Sequence, residues 1–186
     1  MENKTRCAWC EKDDLYRNYH DNEWGKPVYD DETIFEFLIL ETFQTGLSWY
    51  TVLAKRENFR KAFDNFDLMK IANYSEDKMD ALAEDAGIIR NKLKIKATVT
   101  NAQAFIKVQE EFGTFSKYIW GFVDGKPIDN LPKTLNEVKA TTPISDALSK
   151  DLKKRGFKFV GSTVMYAHMQ ATGMVNDHVV NCHTRK

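Results

Sequence analysis

The stretch SDALSKDLKKRGFKFVGSTVMYAHMQATG, residues 145–173, decides the fold. Ser145 reads as a helix cap, and Leu148 and Leu152 follow at helical spacing. Lys153 to Gly161 then links this helix to a second one. Gly156 and Gly161 stand five apart there, with backbone amides free at the start of the second helix, which makes a plausible cradle for phosphate. Lys153, Lys154, Arg155 and Lys158 surround it with positive charge, the kind that holds a DNA backbone without reading its sequence. A solvated charged face is the blander alternative. Arg90, Lys92, Lys94 and Lys96 form a second basic cluster, but without two glycines to give it a specific geometry.

Working outward, the rest of the chain is helical as well. Four prolines and nine glycines punctuate 186 residues, and β-branched alternation is scarce. Asp30-Asp31-Glu32 places acidic residues at the start of a helix that runs to about Thr45. A second helix runs from Ser48 toward Phe63, a third opens at Ser75 and ends before Gly87, and another covers about 91–112. Phe115 to Phe122 is short and aromatic. Residues 123–143 hold three of the four prolines and read mostly as a loop. No repeat or linker divides the chain, so residues 1–186 are expected to form one all-α unit.

Composition narrows the function classes less sharply. Lysine plus arginine equals aspartate plus glutamate at 27 each, so any nucleic-acid surface must come from local clustering. Three cysteines near the two chain ends are a poor disulfide framework and suit a reducing compartment. The polar N-terminus has no apolar core of a signal peptide, and apolar runs such as Phe37–Leu40 are far short of a membrane span. A cytoplasmic protein is the expectation.

Two constellations carry chemistry. Ile34, Phe37, Leu38 and Glu41 share one helical stripe, so Glu41 stands where an apolar residue is expected. Burying a carboxylate is costly without a partner, and such groups gather at binding and catalytic sites; a salt bridge at the helix end is the commoner reason. Tyr16, Tyr19, Trp24 and Trp49 lie nearby in sequence. Aromatics usually pack, but they also sandwich a base drawn out of DNA while a carboxylate reads its edge. Gly46-Leu47 at a tight turn offers a side chain able to wedge into a base stack. The second constellation is Cys7, His20, His178 and Cys182, two thiols and two imidazoles of the kind a structural zinc ion takes. Cys10 and His183 compete for the same positions on spacing alone.

These pieces occur together in RCAW (6–9), YHDNEWGKP (19–27), LETFQTGLSWYTVLAKRENFRKAF (40–63), DAGIIRNKLKI (85–95), the run 145–180, and Cys182. Over nearly its whole length the sequence resembles the bacterial 3-methyladenine DNA glycosylase I family, within the helix-hairpin-helix glycosylase superfamily. The resemblance implies an all-α fold with a helix-hairpin-helix element at about 145–173. It implies one structural zinc ion on Cys7, His20, His178 and Cys182, which demotes Cys10 and His183. It places the base pocket on Tyr16, Tyr19, Trp49 and a catalytic Glu41, and the wedge on Leu47 beside Gly46. Lys154, Arg155, Gly156, Lys158 and Gly161 would hold the DNA backbone. The implied enzyme is a monomer that flips 3-methyladenine out of double-stranded DNA, hydrolyses its glycosidic bond and releases the free base. Two departures stand out. Thr45 occupies a position where relatives carry Ala, and Asp177 lies too close to the hairpin to be the activating Asp of the wider superfamily. A DNA-binding module without catalysis would have lost Glu41, Leu47 and Trp49. A zinc hydrolase would need an open ligand position.

Overall fold

Residues 4–185 are described by the computed structural model; Met1–Asn3 and Lys186, the ends of the unit expected over 1–186, lie outside the described residues. Among the described residues the chain forms α1 (Asp14–Asn22), α2 (Asp31–Gln44), α3 (Trp49–Leu53), α4 (Arg56–Ala62) and α5 (Leu68–Ala72). It continues with α6 (Glu76–Glu84), α7 (Lys92–Phe112), α8 (Phe115–Trp120), α9 (Pro143–Lys154) and α10 (Ser162–Ala171). The sequence writes most of the starts. Asp13, Asp30, Ser48, Asp67, Ser75, Asn91, Thr114 and Thr142 each accept a hydrogen bond from a first-turn amide that has no partner inside its helix. Thr142, not Ser145, caps α9. Pro143 takes the first helical position, and Ser145 returns a bond from the third to the Thr142 amide.

α2 is the axis of the core. Every side chain from Phe37 to Phe43 is buried, so the helix is enclosed on all sides rather than along the expected stripe. α3, α7, α8 and α10 all pack on it. Asp31 in its first turn accepts the amides of Phe115 and Ser116 at 2.9 and 2.7 Å, pinning the start of α8. At the other end the buried Lys94 ammonium donates to the carbonyls of Phe43 and Thr45 at 2.8 and 2.6 Å. A cation there satisfies orphan carbonyls and suits the negative end of the helix.

The helix expected over 48–63 is two, broken at Lys55, whose amide makes a tight bond to the Val52 carbonyl. The turn brings the buried Arg56 guanidinium onto Glu23 and Glu36, both at 2.5 Å. The loop 123–143 contains one short strand, β1 (Ile128–Asp129), paired in parallel with β2 (Val175–Asn176) beyond α10. That pairing clamps the loop to the C-terminal segment.

α9 and α10 pack side by side, joined by residues 155–161. Ser149 donates to the Val160 carbonyl at 2.7 Å. Asn101 of α7 accepts the Lys158 amide at 2.7 Å and donates to its carbonyl at 3.1 Å, so a core side chain fixes the connection. Gly173 ends α10 at φ +68°, and a β-carbon there would lie 2.3 Å from the Lys26 carbonyl carbon. Only glycine lets the 25–28 segment pass close enough for the Gly25 amide to bond the Gln170 carbonyl at 2.9 Å.

Candidate active site and metal centre

The close approach of α1, α2, α3 and α10 leaves a cavity of about 350 Å³ with Tyr16, Tyr19, Glu41, Trp49, Gln170 and Trp9 among its walls. The tyrosines come from one face of α1, three residues apart; Trp49 opens α3, and Gln170 closes α10. The aromatic rings brace one another. Trp9 meets Tyr16 edge-on at 4.9 Å, and Tyr19 lies 5.4 Å from Trp49. Rings held in this way stiffen the walls of the cavity.

Glu41 is only 2% exposed. Its Oε2 is hydrogen-bonded to His168 Nδ1 at 2.7 Å, while Oε1 has no hydrogen-bond partner among the described residues. Burial pushes the carboxyl above its ordinary range, and His168 pulls it partly back. The same burial, with Glu41 beside it, holds the Tyr19 phenol protonated far above neutral pH. Trp49 Nε1 and His168 Nε2 are likewise buried without partners. Glu41 and Trp49 both line the cavity, so two of these unpaired polar atoms belong to its walls, a cost the fold does not offset internally.

A second cleft of about 260 Å³ shares Glu41, Gln44 and Ala167 with the first and runs to Gly46, Leu47 and Thr163. Gly46 turns the chain at φ +83°, leaving Leu47 43% exposed at the rim. The same cleft therefore joins the pocket to the start of α10, where the hairpin ends. Lys154 and Lys158 are exposed there, and a β-carbon on Gly156 or Gly161 would meet nothing within 4 Å. Arg155 differs from its neighbours. Its guanidinium is bound to Glu111 and Asp151, both at 2.6 Å, and lies 5.0 Å from the Phe112 and Tyr118 rings.

Behind the pocket the chain ends meet. Cys7 Sγ, His20 Nε2, His178 Nδ1 and Cys182 Sγ are buried and lie within 4.8 Å of one another. The sulfur–nitrogen separations of 3.4 to 3.7 Å and the nitrogen–nitrogen separation of 3.2 Å match the edges of a tetrahedron. Metal–sulfur and metal–nitrogen bonds of about 2.3 and 2.0 Å would give edges of that size. The opposite ring nitrogens are taken: His20 Nδ1 faces Asp21 at 2.8 Å, and His178 Nε2 the Trp24 carbonyl at 3.0 Å. Partners on the far side fix which nitrogen faces inward. Burial lowers His178 to about 4, keeping it neutral as a ligand must be, and raises the Cys7 thiol to about 12, which a cation would reverse. These four residues can hold a metal ion. Cys10 donates to the Cys7 carbonyl, and His183 contacts Asp21, so both stand outside the set.

Sequence reasoning missed His168 and Gln170. The available signal was the one that exposed Glu41, a polar residue within an apolar helix (Met165, Tyr166, His168, Met169). Trp9 escaped notice as a pocket residue because it lies in a short turn without periodicity. Asp177 is 1% exposed and accepts from Tyr166, Asn130 and Gln170, at 2.7, 2.7 and 2.8 Å. It fixes the Gln170 side chain.

Fold and site together define a helical protein with an aromatic, acid-walled cleft and a buried cysteine–histidine cluster that joins its N- and C-terminal segments. A family model described as methyladenine glycosylase matches residues 9–186, and the chain belongs to that family. It is 50% identical to DNA-3-methyladenine glycosylase 1 of Escherichia coli strain K12, over 95% of each chain. It is 47% identical to a DNA-3-methyladenine glycosylase of Haemophilus influenzae, over 96% of each. A Staphylococcus aureus 3-methyladenine DNA glycosylase I, solved to explain 3-methyladenine recognition, matches with a TM-score of 0.94 at 36% identity, covering 97% of this chain and 96% of that one.

Proposed function

We propose that the protein removes 3-methyladenine from alkylated double-stranded DNA as a monofunctional glycosylase, opening base excision repair. The observation that carries this reading is the buried Glu41 with one oxygen tied to His168 and the other unpaired in an aromatic cavity of nucleobase size. The named activity of the relatives supports the substrate.

The nucleotide rotates out of the stack, Leu47 fills the gap, and the base enters the cavity through the adjoining cleft. Trp49 and the tyrosines stack on it. Glu41 accepts from its exocyclic amino group and offsets its positive charge. 3-Methyladenine is cationic in the nucleotide and leaves as a neutral base, so the glycosidic bond is already weak. Extrusion, desolvation and contacts to the departing base therefore suffice for attack by water. That Asp177 is fully hydrogen-bonded favours a mechanism without an activating Asp.

The α9–α10 pair serves as the helix-hairpin-helix element. Lys154, Lys158 and the amides near Gly156 and Gly161 hold the backbone, and Arg155 supports the hairpin from behind. The ion in the clasp is zinc, in a structural role because protein fills all four positions. The enzyme works as a cytoplasmic monomer. Chromatography of bases released from methylated DNA tests the reading: folded protein liberates 3-methyladenine, whereas tight DNA binding without release would instead define a damage-binding module.

A further inference from the structure

His168 has no part in the reaction as described, yet it is fully buried with its imidazole against the acid of the pocket. It sits on α10 among Met165, Tyr166 and Met169, where an apolar residue would cost nothing to bury. The contact is short and aimed: Nδ1 lies 2.7 Å from Glu41 Oε2. When Glu41 is ionised its oxygen can only accept, and the imidazole then donates through Nδ1. The far nitrogen, Nε2, is buried without a partner, so nothing on that side holds the ring in place of Glu41. The pair is thus a two-membered unit that leaves Glu41 Oε1 as the free oxygen of the carboxyl group.

We propose that His168 is a positioning residue of the pocket: its Nδ1–H fixes one oxygen of Glu41 so that the other stands as the acceptor for the amino group of a methylated adenine. The inference rests on the proposed function. An acceptor without the His168 contact could rotate, or take up a proton and offer a donor to a group that is itself a donor. The groups facing Glu41 are few. α10 brings His168, α1 brings the Tyr19 phenol, and α3 brings Trp49, which does not titrate. With His168 gone, only burial would act on the carboxyl, in the direction that favours the protonated acid.

Two variants separate positioning from packing. His168→Phe keeps a ring of similar size and removes the donor. His168→Asn places an amide N–H near the position of Nδ1. Binding of free 3-methyladenine, followed by tryptophan fluorescence from pH 5.5 to 8.5, and single-turnover release from methylated DNA are measured for both. The expected result for His168→Phe is about tenfold weaker binding near pH 6. Its acid limb moves to higher pH, with recovery toward pH 8.5, and His168→Asn regains most of the loss at unchanged metal content. A Phe variant with the parent profile overturns the inference. So does a loss that is uniform across pH and not rescued by Asn, which marks packing alone. Parent protein that binds the base but does not excise it overturns the function and leaves the inference standing; parent protein that does not bind it overturns both.

Discussion

The clasp and the pocket are both buried clusters of polar side chains, and they end in opposite conditions. In the clasp each imidazole uses one nitrogen on a protein acceptor and turns the other inward, toward two thiols at tetrahedral spacing. In the pocket Glu41 Oε1 and Trp49 Nε1 are left without partners among the described residues. A cluster that closes on itself, or on one ion, contributes stability. One left open toward a cavity is held for something that arrives. Variants of the first should therefore alter folding, and variants of the second activity.

The largest effect is expected in the clasp. Cys182→Ser removes one of the four proposed ligands, and the 5–10 and 178–185 segments lose their common anchor. Structural metal binding is folding free energy, so the loss should be on the order of 5 kcal/mol, read as a lower unfolding midpoint together with lost metal by elemental analysis. Full metal occupancy in the variant would reinstate Cys10 or His183 as a ligand and break the contrast.

In the pocket Glu41→Gln should do the reverse. Excision falls by roughly 10²- to 10³-fold, the range for removing one group that stabilises a transition state. Metal content holds and the unfolding midpoint does not fall, since an uncharged amide is cheaper to bury than a carboxylate. A variant that excises normally removes Glu41 from the chemistry.

Glu41 was legible in the sequence because one acidic residue interrupts an apolar stripe, and the starts at Asp30, Ser48, Ser75 and Asn91 were legible because such residues mark helix starts, whereas at α9 Ser145 stood in for the true cap, Thr142. The true environment of α2 was not. Periodicity describes one face, and tertiary packing closed the others with α3, α7, α8 and α10. His168 stayed hidden for a related reason: a single histidine reads as core until the partner 127 residues away is placed beside it. The break at Lys55 also depends on partners distant in sequence, Glu23 and Glu36, which no local pattern announces.

A smaller effect should appear in the pH dependence of stability. Burial raises the folded-state pKa of Glu41 above its unfolded value. Its contribution is then fully present below the unfolded pKa and is lost as pH rises through the folded one, so ionising Glu41 destabilises the protein. Urea titrations of parent and Glu41→Gln across pH 4 to 8 should give a difference that grows in favour of the variant with rising pH. A difference that is flat, or grows toward acid, would show that His168 fully compensates the buried charge and that the pocket is less open than the clasp comparison holds.

The smallest effect lies in the hairpin, where the same contrast recurs between neighbours. Arg155 is committed to Glu111, Asp151 and two aromatic rings, whereas Lys158 is exposed with no ion-pair partner among the described residues. Arg155→Ala should cost about 1 kcal/mol of stability, the scale of partly exposed pairs with a stacking contribution. Its salt dependence of DNA binding should not change, because its charge is already neutralised within the fold. Lys158→Ala should leave stability alone, weaken binding of undamaged duplex a few-fold, and lower the slope of log K against log salt by about 1. The reverse assignment, a lower slope for Arg155→Ala and none for Lys158→Ala, would mean that DNA draws Arg155 out of its ion pairs, and the rule separating closed from open polar groups would fail at the surface proposed to meet DNA.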